Sequence, residues 1–319
     1  MAPPPGHFSA DSPLVDLIYP SPNVNSRRNG KTPELLILHY TGLESTKRSI
    51  DVLADPICQV SCHYVIDEAG RIVQMVPERQ RAWHAGVSKW HSETDLNSVS
   101  IGIELQNPGH DAGYPDFPQA QISAVIELAR DIMSRNSIPA HGVLAHSDIA
   151  PRRKMDPGEK FPWRRLAQEG VGHWADHPPD NQALGPLTQV ALSRDTEKAI
   201  EAVRLVEDVR SVQILLARYG YDCPQSGEMD KETAIVVAAF QRHFRPALVN
   251  GAIDAETVVT LNRLIERLPD DYRDVLKLRI VEDVSLDEIA ERMERSRNAV
   301  AILICRARKA LGEVIDGKA

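Results

Sequence analysis

The 319-residue sequence contains no run approaching the ~20 apolar residues a membrane span requires. Its first residues, MAPPPGHFSADSPLVDL, carry neither a basic segment nor an apolar one. No signal peptide is therefore visible, and the expectation from sequence is a cytoplasmic place. Cysteine is scarce. Cys58, Cys62, Cys223 and Cys305 are scattered and form no CxxC pair, which excludes a disulfide framework and a cysteine-built structural zinc site. All four are expected to be free, buried thiols. Basic excess is missing too: the formal net charge is −8, which argues against a chain that coats nucleic acid along its whole length.

What is present is an ordinary soluble composition, 42% hydrophobic and 26% charged, in a chain long enough for two or three domains. Residues 1–30 are rich in Pro, Ser and Asn and read as an extended arm rather than a core element. Glu34 to His39 is a short apolar run ending at a histidine, a buried strand by its composition. Ser61–Asp67 and Arg71–Val76 flank Glu68-Ala-Gly70, a hairpin pattern, and Val99–Leu105 reads as a further strand. Gln119–Ser134 has apolar residues at a helical period. Strands mixed with helices over residues 31–175 predict an α/β domain with one mixed β-sheet flanked by helices. The Pro-rich stretch 176–190 reads as a linker. Helical patterns at Val206–Tyr219, Glu232–His243 and Ala255–Arg267 predict a three-helix domain over 191–266. Residues 267–319 form a small all-α unit, with Ser285 and Glu288 at capping-box spacing.

The chemistry concentrates in the first domain. Residues 146–156, HSDIAPRRKMD, place His146, Lys154 and Asp156 in a segment that Pro151 and Pro157-Gly158 keep from being one continuous helix. His39, at the end of its strand, adds a third zinc-capable side chain, and no convincing fourth exists. Three protein ligands and a water are the catalytic form of a zinc site. Glu104 lies on an otherwise apolar strand, where an inward carboxylate is costly unless it is used. It is the candidate general base. Lys154 is the candidate for stabilising an oxyanion.

Five motifs occur in order: Leu38-His39-Tyr-Thr-Gly, Ser61-Cys-His63-Tyr64, Ala82-Trp83-His84-Ala-Gly, Ser100-Ile-Gly-Ile-Glu104, and His146 followed by Lys154-x-Asp156-Pro-Gly. Together they resemble the zinc-dependent N-acetylmuramoyl-L-alanine amidases of the type 2 class. The resemblance implies that class's fold and the ligand set His39, His146 and Asp156 for Zn2+. It implies Glu104 as activator of the attacking water and Lys154 as a partner of the tetrahedral intermediate. The substrate would be peptidoglycan or a muropeptide, cleaved between the lactyl group of (anhydro-)N-acetylmuramic acid and L-alanine. His63, Tyr64 and His84 would line the substrate cleft. Trp83 and Trp90 are expected to pack rather than stack on sugar. Related envelope amidases are exported, so the missing leader pattern leaves the compartment open between cytoplasm and envelope.

The middle unit, with Ala239-Phe-Gln-Arg-His-Phe and Asn250-Gly-Ala-Ile-Asp254, is similar to small peptidoglycan-binding domains. The last unit is similar to the −35-promoter-reading, region-4 helix-turn-helix of sigma factors. From Arg292 to Lys309 it carries six Lys/Arg against the single acid Glu294, as a phosphate-facing surface requires. Arg297, Asn298 and Arg306 are the candidate DNA contacts, and DNA or RNA polymerase the implied partner. The alternative to an enzyme is then a muropeptide-sensing DNA-binding regulator. A sensor can dispense with Glu104 or Lys154, and this sequence has both.

Overall fold

A computed structural model of the chain describes residues 8–175, 209–267 and 285–292. Two compact units are present, 1–261 and 262–319. The first is built on a six-stranded mixed sheet in the order β1-β5-β4-β7-β3-β8. Its strands are β1 (Leu17–Ile18), β3 (Leu35–Tyr40), β4 (Tyr64–Ile66), β5 (Ile72–Gln74), β7 (Ser100–Leu105) and β8 (Val143–Ala145). β2 (Val24–Ser26) and β6 (Gln80–Ala82) form a separate antiparallel pair.

The four neighbouring strands β4, β7, β3 and β8, with β8 at the sheet edge, are parallel. Their residues are nearly all buried, as expected when both faces of a parallel sheet are covered. Helix α1 (Thr46–Leu53) contributes Leu53 to a cluster with Val65 and Val73 on one face. Helix α3 (Gln119–Asn136) covers the other, burying Ile122, Val125, Ile126, Ala129 and Ile132. The hairpin turn at Glu68–Gly70 is as expected, with Gly70 at φ 84°, a left-handed conformation that suits glycine. α2 (Leu96–Val99), α4 (His146–Ile149) and α5 (Trp163–Gln168) are short.

The N-terminal arm differs from its sequence expectation. Leu17 and Ile18 add a parallel strand beside β5, and β2 pairs with β6. Arg27 is buried and its guanidinium donates to the carbonyls of Glu78, Asn97, Ser98 and Ser100. A run of Pro, Ser and Asn hides such pairing because its hydrogen bonds are made to residues far along the chain. The thiols also differ: Cys62 is buried, Cys58 exposed and Cys223 half-buried; Cys305 lies outside the described residues.

The helical domain comprises α6 (Val209–Tyr219), α7 (Lys231–Phe244) and α8 (Ala255–Arg267). Asp230 caps α7 by accepting from the Thr233 N–H at 2.7 Å. Of the last unit, α9 (Leu286–Arg292) is described, and Ser285 Oγ accepts from the Glu288 N–H at 3.3 Å. The linker 176–190 and the candidate DNA contacts Arg297, Asn298 and Arg306 lie outside the described residues.

Candidate active site and metal centre

The register of the parallel strands assembles the site. His39 on β3 is paired with Glu104 on β7, and Leu38 with Ala145 on β8, the residue before His146. Paired residues project to the same face, so His39, Glu104 and His146 emerge together at the carboxyl ends of adjacent strands, where open α/β sheets place their ligands. One helical turn, α4, carries His146 before Pro151 ends the helix. The segment then returns so that the Ser147 N–H donates to the Asp156 carbonyl at 3.0 Å, which ties the backbones of the two candidate ligand positions together.

Three buried atoms converge. His39 Nδ1 lies 2.9 Å from His146 Nδ1 and 3.2 Å from Asp156 Oδ2, and the last two are 3.0 Å apart. The partners behind the rings settle the tautomers. His146 Nε2 faces the Ala85 carbonyl at 3.2 Å. A carbonyl only accepts, so Nε2 carries the hydrogen and Nδ1 presents a lone pair. His39 is fixed by a longer relay. Ser100 Oγ donates its one hydrogen to the Leu96 carbonyl at 2.6 Å, and so accepts from His84 Nε2 at 3.2 Å. His84 Nδ1 is then an acceptor for His39 Nε2–H at 3.0 Å, and His39 Nδ1 also presents a lone pair. Two imidazole lone pairs and a carboxylate oxygen thus meet with no hydrogen between them. Such a set is repulsive without a cation, and it fits a divalent metal of the nitrogen-and-oxygen-binding kind.

Electrostatics agrees. Burial, with His146 beside it, lowers the His39 pKa to about 4, so the ring is neutral and ready to ligate. Burial alone would raise the Asp156 carboxyl; the two imidazoles outweigh it and hold that carboxyl well below the usual range. Glu104 is treated differently. Burial, then the nearby Asp156 charge, pushes its carboxyl well above the ordinary value, while Lys154 pulls it down. Its Oε2 is buried without a hydrogen-bond partner. Lys154 is half-buried and its charge reaches both Glu104 and His39.

The three residues expected to line the cleft all have hydrogen-bond partners within the protein. His63 is buried, accepting from the Gly102 N–H and facing the Gln80 carbonyl with Nε2. Tyr64 is buried and donates to Glu78. His84 is the partner of His39 just described, its ring lying over Gly102, where a Cβ would come within 2.5 Å of it. That glycine in Ser-Ile-Gly-Ile-Glu is therefore a spacing requirement of the histidine behind His39, a candidate metal ligand. Trp90 packs as expected, buried against Gly220 and 5.1 Å from the Tyr221 ring; Trp83 is half-buried and donates to Asn25.

The comparisons with known proteins bear on this geometry. Residues 29–159 match the family model described as N-acetylmuramoyl-L-alanine amidase. The N-acetylmuramoyl-L-alanine amidase AmiD of Escherichia coli is 42% identical over 250 residues, covering 75% of this chain and 84% of that protein. The chain belongs to the N-acetylmuramoyl-L-alanine amidases. The 1,6-anhydro-N-acetylmuramyl-L-alanine amidase AmpD of the same organism is 37% identical over 165 residues, 46% of this chain and 87% of AmpD. Among solved structures, AmiD in complex with anhydro-N-acetylmuramic acid-L-Ala-D-gamma-Glu-L-Lys superposes with a TM-score of 0.62 at 37% identity, covering 76% of this chain and 93% of that one. AMPDH3 from Pseudomonas aeruginosa gives 0.64 at 34%, covering 77% and 96%. Two further family models match, a putative peptidoglycan binding domain at 206–261 and sigma-70 region 4 at 259–311. The amidase is thus an enzyme of cell-wall turnover, and the regulator alternative gains nothing from these relatives. No described helix is long and apolar enough to cross a membrane.

Proposed function

We propose that this amidase works with zinc held by His39 Nδ1, His146 Nδ1 and Asp156 Oδ2, on muropeptides of the kind bound by its structural neighbours. The observation that carries the reading is the convergence of three lone pairs from buried, tautomer-fixed ligands. Bound zinc polarises the amide carbonyl and makes water a competent nucleophile near neutral pH. The rest falls to this chain's side chains. Glu104 takes the proton of the attacking water. Its raised pKa makes it a base strong enough to accept that proton and an acid able to give it up again. The proton then goes to the alanine nitrogen, the carbonyl carbon–nitrogen bond breaks, and a lactyl carboxylic acid and a free alanine amine result. Lys154 offers positive charge to the oxygen that becomes negative in between. AmiD and AMPDH3 are each known in complex with an anhydromuramyl peptide, which supports a muropeptide as substrate.

Stem-peptide release from a purified anhydromuropeptide tests the reading. Activity should vanish on exhaustive chelation and return with stoichiometric zinc, and His39→Ala should not be restored. Undiminished activity after metal removal would overturn it.

A further inference from the structure

Asp148 lies between two of the metal ligands, is wholly buried, and plays no part in the chemistry above. Its carboxylate accepts three hydrogen bonds. Oδ2 takes the Ala145 N–H at 2.7 Å, which closes the turn on which His146 sits. The other two donors come from the helical domain. Tyr221 Oη donates to Oδ1 at 2.6 Å, and His243 Nδ1 donates to Oδ2 at 2.6 Å. The His243 ring is stacked 3.7 Å from Trp163 of α5 and 3.8 Å from Phe244, so its direction is set by packing as well as by the bond. Tyr221 is buried beside Trp90 and Phe240. Around this centre the two parts are tied again. Asp222 pairs with Lys89 at 2.8 Å and with Arg152 at 3.0 Å, Arg152 also pairs with Glu232, and the His91 N–H donates to the Gly220 carbonyl at 2.8 Å.

We propose that the helical domain is a structural half of the metal centre: Tyr221 and His243 are positioning residues that hold Asp148, and through it the segment carrying His146 and Asp156. The inference rests on the zinc reading above. A buried carboxylate left with one donor of three does not keep its place, because unpaired buried charge is costly. The segment would relax toward water, and the Ala145 turn and the Ser147–Asp156 link would relax with it. Both ligands then lose their fixed offset from His39. Partners that orient metal ligands typically contribute 10–100-fold in affinity. A module that resembles a wall-binding domain thus has a second task, and the amidase domain does not treat it as a tethered passenger.

The test is the zinc dissociation constant of the full chain, read by competition with a chromogenic chelator, alongside the thermal midpoint. Tyr221→Phe keeps the ring and removes one donor. His243→Leu removes the other, and His243→Asn returns an N–H near the Nδ1 position. Leu128→Ala, buried in α3, lowers stability without removing any donor to Asp148. The expected result is about tenfold weaker zinc binding in Tyr221→Phe and His243→Leu, recovery in His243→Asn, and unchanged affinity in Leu128→Ala. Parent-like affinity in Tyr221→Phe and His243→Leu overturns the proposal, as does an equal loss in Leu128→Ala. A parent chain that binds no zinc at this site would instead overturn the zinc reading itself.

Discussion

His39 and Glu104 are neighbours across one strand pair, yet the protein treats them in opposite ways. His39 is held from behind by a relay of hydrogen bonds that runs through His84 and Ser100 to the Leu96 carbonyl. Glu104 has a buried carboxylate oxygen with no partner at all. Its burial would be a plain loss in a structural role. The contrast separates two needs. A metal ligand serves best when its ring, tautomer and direction are fixed before the ion arrives. A general base serves best when nothing competes for its lone pair and its pKa stands near the working range. In the proposed roles, one strand pair supplies both by giving partners to His39 and withholding them from Glu104.

The sharpest way to break this contrast is to neutralise the free side alone. Glu104→Gln keeps shape and volume but cannot take a proton. Hydrolysis should fall by at least ~10²–10⁴-fold, while zinc content, measured by atomic absorption after dialysis, stays at the parent level. Loss of zinc together with activity would show that Glu104 belongs to the fixed set, and the division of roles would fail.

Lys154 provides the next test, because its charge acts on the free side. It lowers the Glu104 pKa, against burial and Asp156, which raise it. The base works deprotonated, so activity is lost as pH falls through its pKa. Removing Lys154 removes the lowering influence, so the pKa rises and the acid limb of kcat/KM should move to higher pH in Lys154→Ala. An overall loss of ~10²–10³-fold should accompany the shift if Lys154 also faces the developing oxyanion. An acid limb that stays put, or moves to lower pH, would detach Lys154 from Glu104.

Much of the candidate site is legible in the sequence alone. His39, Glu104, His146, Lys154 and Asp156 stand out because strand ends and a proline-bounded segment are local patterns, and local patterns survive in one dimension. The helix Ala255–Arg267 was readable residue for residue for the same reason. His84 is legible as a motif member but not as the partner of His39. Its task depends on standing over Gly102 and beneath His39, a relation among three separate segments that no spacing encodes. Arg27 and Asp148 escaped notice altogether. One of two adjacent arginines in a polar arm, and an aspartate between two candidate ligands, look like solvated surface until their distant partners are known.

His84 therefore offers the finest test, on the fixed side. Its Nδ1 holds the hydrogen of His39 Nε2, and its Nε2 hydrogen is spent on Ser100. His84→Leu ends the relay at its centre, leaving His39 Nε2–H buried and unpaired and its Nδ1 free to take the hydrogen instead. Zinc affinity should fall by 10–100-fold, the reverse of the Glu104→Gln pattern, and saturating zinc should restore most of kcat because the base is intact. His84→Asn should recover part of the affinity, since its amide oxygen can accept where Nδ1 did. If His84→Leu holds zinc as tightly as the parent, the ring behind His39 is packing and the tautomer is set elsewhere. If it loses kcat at saturating zinc as fully as Glu104→Gln, then His84 acts on the reacting atoms and the line between fixed and free residues must be redrawn through the histidines.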